Sequence, residues 1–93
     1  MEPPADSVMT DLPNIGSEVA ALLARAGVTD PRELSRLGAV EAALRIRDVR
    51  PDDPPCRSML AALDGAIRGV RWHEIPKAER EALWKEYQAR TSR

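Results

Sequence analysis

The chain has few of the residues from which catalytic and cofactor sites are usually built. It contains one cysteine, Cys56, and one histidine, His73; phenylalanine is absent, and Trp72, Trp84 and Tyr87 are the only aromatics. A single cysteine excludes an internal disulfide and suits a reducing compartment. A single histidine excludes a His-rich metal centre or a His–His proton relay. No catalytic residue, metal or cofactor is therefore expected, and the chain reads as a non-enzyme. The opening MEPPADSVMT has neither a basic start nor an apolar run, which is unlike a secretory signal. No stretch approaches the ~20 apolar residues of a membrane span. A cytoplasmic location without membrane contact is the expectation.

Excess charge is also lacking. The net charge is −1, distributed as −4 over residues 1–30, +2 over 31–50, −1 over 51–75 and +2 over 76–93. No global field draws the molecule to polyanions, although arginine supplies 12 of the 14 cations and a local basic edge is compatible with that total.

What is present is aliphatic. Hydrophobic residues make up 43% of the 93 positions, Ala and Leu predominate, and β-branched residues are scattered, which favours an all-α domain. Residues 1–10, with two prolines and two acids, read as an acidic tail with little to bury; residues 11–90 read as one helical domain. Val19, Leu22, Leu23 and Ala26 fall at i, i+3, i+4 and i+7, with Gly27 placed to close a helix begun at Ser17. Asp30-Pro31-Arg32-Glu33 joins an N-cap aspartate, a first-turn proline and a capping-box glutamate, and opens a short helix stopped by Gly38.

A third helix is expected from Ala39 into Arg47, ended by three prolines and three aspartates between Asp48 and Pro55. Met59, Leu60, Leu63 and Ile67 mark a fourth, taken as central and closed by Gly69; Pro76 opens a fifth that aligns Leu83 and Tyr87. The spacing predicts a compact bundle of about five short helices, in a helix-hairpin-helix or SAM-domain-like arrangement. Its expected core is Leu22, Leu23, Leu34, Leu44, Leu60, Leu63, Ile67 and Leu83.

An internal echo supports paired hairpins. Ile15-Gly16-Ser17-Glu18-Val19-Ala20-Ala21-Leu22 and Leu37-Gly38-Ala39-Val40-Glu41-Ala42-Ala43-Leu44 share the pattern apolar-Gly-x-x-x-Ala-Ala-Leu. In each, glycine is read as allowing a sharp turn before a helix, and the alanines as allowing close helix approach. Unpaired N–H groups at such a helix start can hold a phosphate. The candidate phosphate-binding loops are Asn14, Ile15, Gly16 and Ser17 in the first hairpin, and Leu37, Gly38 and Ala39 in the second. Arg36, Arg45 and Arg47 form a candidate basic edge beside the second. Against this, Glu18 stands where a phosphate loop favours a cation, stabilising its own helix end and repelling an anion. The first reading is therefore a structural hairpin, with phosphate binding as the alternative.

The segments LPNIGSEVAALLARAGVTDPRELSRLGAVEAALRIR and SMLAALDGAIRGVRWHEIP resemble the C-terminal domain of the TfoX/Sxy family. LGAVEA and LDGAI, with Gly69 and Trp72 after them, are the most specific pieces. The resemblance extends from about Asp11 to Tyr87. It implies a small helical domain of helix-hairpin-helix character and, in two-domain members, a part in transcriptional control of competence.

The remaining residues read as structural. Cys56 is expected to be partly buried. Trp72 is expected to pack the turn between the last helices rather than stack a base, and Gly65 to admit a neighbouring helix. The sequence points to a non-catalytic interaction domain with a protein partner, as a monomer or small homo-oligomer. Weak, sequence-independent binding of nucleic-acid phosphate is the alternative.

Overall fold

The helix boundaries follow local capping chemistry. In a computed structural model that describes residues 9–92, α1 runs Ser17–Arg25, α2 Pro31–Leu37, α3 Ala39–Val49, α4 Arg57–Arg68 and α5 Lys77–Thr91. Single 3-10 turns occupy Met9–Asp11 and Trp72–Glu74, and no strand occurs among the described residues. The fold is all-α.

At the end of α1, Gly27 adopts φ 87°, the Gly27 N–H donates to the Ala24 carbonyl (3.0 Å), and the Val28 N–H donates to that of Leu23 (2.8 Å). This double return satisfies two orphan carbonyls and turns Val28 inward, where it is fully buried. Asp30 caps α2 by accepting from the Glu33 N–H at 3.0 Å, with Pro31 in the first turn. α3 continues two residues past Arg47, to Val49. Arg50 then closes the Pro/Asp-rich turn by donating to the Asp53 carbonyl (2.8 Å). Gly69, at φ 81°, ends α4 as its position implied.

α3 packs against α1, α2, α4 and α5, and its Ala42, Ala43 and Ile46 have no exposed surface. The expectation that α4 is central holds, and α3 shares that place. α3 is the hub because two adjacent alanines let neighbouring helices come near, while α4 contributes Leu60, Leu63 and Ala66 to the same core.

Of the expected core residues, Leu22, Leu23, Leu34, Leu60 and Leu63 are buried; Leu44, Ile67 and Leu83 are half-buried along its edge. Ile15, Val28 and Ile75 join the buried set from turns, where no periodicity marks them. Met9 is also buried, so packing begins inside the segment read as a tail; residues 1–8 lie outside the described residues.

Candidate interaction surface

The first candidate loop owes its shape to Asn14. Asn14 has φ 70°, in the left-handed region that asparagine tolerates better than most residues. Its side-chain Nδ2 donates to the Val70 carbonyl (2.9 Å) and the Ala62 carbonyl (3.3 Å), and its Oδ1 accepts from the Trp72 N–H (3.2 Å). The side chain thus fastens the α1 entry to α4 and to the turn that follows α4. A Cβ on Gly65 would lie 2.6 Å from Asn14 Nδ2 and 2.7 Å from the Val70 carbonyl oxygen. Gly65 therefore admits this asparagine and the 70–72 backbone, not a neighbouring helix as the sequence suggested.

Gly16 is extended, at φ −91° and ψ −178°, and Asn14 makes the turn assigned to that glycine. Ile15 is buried, while Gly16, Ser17 and Glu18 are exposed. A 3-10 turn, not an α-helix, precedes this loop among the described residues. The second loop differs: Leu37 and Gly38 are half-buried, Ala39 is buried, and Gly38 takes φ 85° and ψ 162° as the sole residue between α2 and α3.

The three arginines of the candidate basic edge do not form an unopposed cationic strip. Arg36 pairs with Glu33 at 2.6 Å and Arg45 with Glu41 at 3.2 Å, while Glu41 also meets Arg90 of α5 at 2.6 Å. Arg45, with Arg90 beyond it, holds the Glu41 carboxyl below the usual carboxylate range. Arg47 is exposed and alone of the three has no carboxylate partner among the described residues. The spacings Glu33–Arg36 (i,i+3) and Glu41–Arg45 (i,i+4) are ordinary helix ion pairs that the sequence carries openly.

Two adjoining depressions meet at Trp72. One, of about 220 Å³, lies between the start of α4 and α5 and is lined by Arg57, Ser58, Ala61, Trp72, Arg80 and Glu81. The other, of about 320 Å³, faces the α1 entry; Val19, Met59 and Ala62 give it an apolar floor beside Trp72, with Asn14 and Arg71 at its sides. Ser58 is common to both. Trp72 is half-buried beneath the Arg80 guanidinium, 5.5 Å from the ring centroid. It therefore packs the turn as expected while also forming a wall of each depression.

Arg57 pairs with Glu81 and lies 5.3 Å from the Trp84 ring centroid, and that ring stacks on Tyr87 at 5.3 Å. Arg57 holds the Glu81 carboxyl below the usual carboxylate range, and burial pushes the Tyr87 hydroxyl up. Cys56 is exposed rather than partly buried; the adjacent Pro55 takes the buried position before α4. Among the described residues no three His, Cys, Asp or Glu side chains cluster as metal ligands, and no helix is long and apolar enough to cross a membrane.

A short-helix domain with two adjoining depressions at Trp72, and with most arginines of the described residues paired to carboxylates, defines a class of small all-α domains. The chain belongs to the TfoX C-terminal domain family, whose profile it matches over residues 5–87. It is 35% identical over 75 residues to protein Sxy of Escherichia coli (strain K12), covering 81% of this chain and 35% of Sxy, so it spans about a third of that relative. The fold is also that of an uncharacterized Listeria monocytogenes protein solved in a triclinic crystal form. That likeness has a TM-score of 0.80 at 39% identity, covering 88% of this chain and 91% of the other. A Listeria monocytogenes protein of unknown function, in a tetragonal form, matches at TM-score 0.78 and 40% identity, over 86% of this chain and 96% of the other.

Proposed function

We propose that this domain is a non-catalytic docking module of a competence-type regulator, acting through contact with another protein. The observation that carries the reading is the pair of depressions sharing Ser58 and Trp72. They combine an aromatic wall, an aliphatic floor and cations at the sides, the composition on which protein contacts depend. The hairpin loops support phosphate binding less well. Asn14 spends its side chain inside the fold, Arg36 and Arg45 are paired with glutamates, and exposed Glu18 follows the one open loop.

The test is affinity capture from host extract with the wild type, Ser58→Tyr and Glu18→Lys. Ser58 is exposed and lines both depressions, so tyrosine there obstructs them at their shared edge while leaving the core intact. A partner held by the wild type and Glu18→Lys but lost by Ser58→Tyr is the expected result. A partner held equally by all three overturns the reading. So does duplex binding by the wild type tighter than ~10 μM that weakens steeply with salt, since phosphate neutralisation produces that signature.

A further inference from the structure

We infer that the Trp72 groove accepts an acidic segment of a partner protein, with carboxylates on both sides of an inserted aliphatic side chain. The inference rests on the docking reading and specifies its ligand. Four charged residues line the two depressions: Arg57, Arg71, Arg80 and Glu81. Arg57 and Glu81 neutralise each other in an ion pair. Arg71 and Arg80 have no carboxylate partner among the described residues; Arg80 donates Nε to the Ile75 carbonyl at 3.0 Å and holds its guanidinium over Trp72. One guanidinium without a carboxylate partner thus lines each depression, and the half-buried Trp72 lines both, in a chain whose net charge is −1.

The same lining includes Val19, Met59 and Ala62 in the depression with Arg71, and Ala61 in the depression with Arg80. A Leu-, Ile- or Val-sized side chain would displace water from that floor while flanking carboxylates meet the guanidinium forks, which match carboxylates in a planar two-point geometry. Charge complementarity of this kind selects among partners and speeds encounter more than it adds affinity. A single strand of nucleic acid fits less well. It would use Trp72 as a stacking platform, yet two open cations make a short phosphate track, and the other tryptophan is occupied by Tyr87 and Arg57.

The probe is a short synthetic peptide with leucine flanked on each side by aspartates. It is compared with its Asn-for-Asp isostere and with single-stranded oligothymidine of equal charge. Binding is read on the two indole N–H signals of the intact chain by nuclear magnetic resonance, assigned with Trp84→Phe. The expected result is a saturable shift of the Trp72 signal by the acidic peptide. Arg71→Glu should weaken that binding about tenfold or more, as reversal of a close charge implies. A peptide with lysines in place of the aspartates should regain affinity for Arg71→Glu.

Equal binding of the isostere, unchanged by Arg71→Glu, would overturn the acidic specificity and leave the docking groove standing. A Trp72 response to oligothymidine with none to the peptide would replace both readings with single-strand binding. Silence of Trp72 to every probe overturns the inference. Silence together with a captured partner that Ser58→Tyr releases overturns it alone, leaving the docking reading intact.

Discussion

The starts of α1 and α3 share the pattern apolar-Gly-x-x-x-Ala-Ala-Leu, yet they perform different structural tasks. At α3 the glycine itself bends the chain, with φ 85° and ψ 162°, and the alanines that follow, Ala42 and Ala43, lie at the centre of the core. At α1 the glycine is extended; Asn14 bends the chain two residues earlier, and Ala21 is exposed. A repeated string therefore need not be a repeated device. What separates the two is tertiary. The α3 entry is turned by the single glycine that joins it to α2, whereas the α1 entry is held from a distance by a side chain bonded to residues 62, 70 and 72.

The comparison can be broken most forcefully at Gly65, the position that accommodates the α1 entry. Alanine there must displace Asn14, the Val70 carbonyl or both, so Gly65→Ala should cost about 3 kcal/mol or more. Thermal unfolding should drop by about 12 °C or more in a domain this small. A drop below about 4 °C would show that the α1 entry relocates without penalty.

Asn14→Asp comes next. The substitution keeps an acceptor for the Trp72 N–H but turns an oxygen toward two carbonyls, at an expected cost of about 2 kcal/mol at neutral pH. Those carbonyls disfavour the ionised carboxylate, raising its pKa in the folded state above the unfolded value of about 4. Stability relative to wild type is then lost as pH rises through the folded pKa and is regained below about pH 4, where the carboxyl donates a hydrogen bond. A deficit that grows in acid would contradict the bonding described for Asn14.

The glycines themselves supply a paired measurement. Gly38→Ala imposes a backbone conformation essentially confined to glycine and should lose about 1–3 kcal/mol. Gly16→Ala, in extended backbone with free space, should stay within about 0.5 kcal/mol of wild type. Equal losses in denaturant titrations would restore the equivalence that the sequence suggested. The smallest effect is expected at Glu18, whose carboxylate favours the α1 terminus; Glu18→Lys should lose about 0.3–1 kcal/mol by thermal melt. A gain in stability would mean that the terminus is governed by other charges.

Those features also mark where the sequence was legible. The α2 cap, Gly27, Gly69 and the apolar stripes are local signals read over a few residues, and the structure follows them. The ion pairs that quiet Arg36 and Arg45 are equally local, with Glu33 and Glu41 three and four positions before them. The residue type of Asn14 suits positive φ, but its three partners lie far along the chain and nothing in the pattern selects them. The Trp72 groove was hidden for the same reason. Its walls come from α1, α4, α5 and the turn containing Trp72, none of which carries a recognisable motif for the whole.

The Asn14 fastening also has a kinetic consequence. Its bonds join positions separated by 48, 56 and 58 residues, whereas Gly38 links helices adjacent in the chain. Loop closure makes contacts of long separation costly before they are rewarded, so the α2–α3 corner should form on the way up the barrier and the Asn14 contacts after it. In a chevron experiment Asn14→Asp should then accelerate unfolding while leaving the refolding arm nearly in place, and Gly38→Ala should slow refolding. Refolding slowed by Asn14→Asp in proportion to the lost stability would instead put the fastening inside the transition state, and with it the α1 entry and the turn after α4.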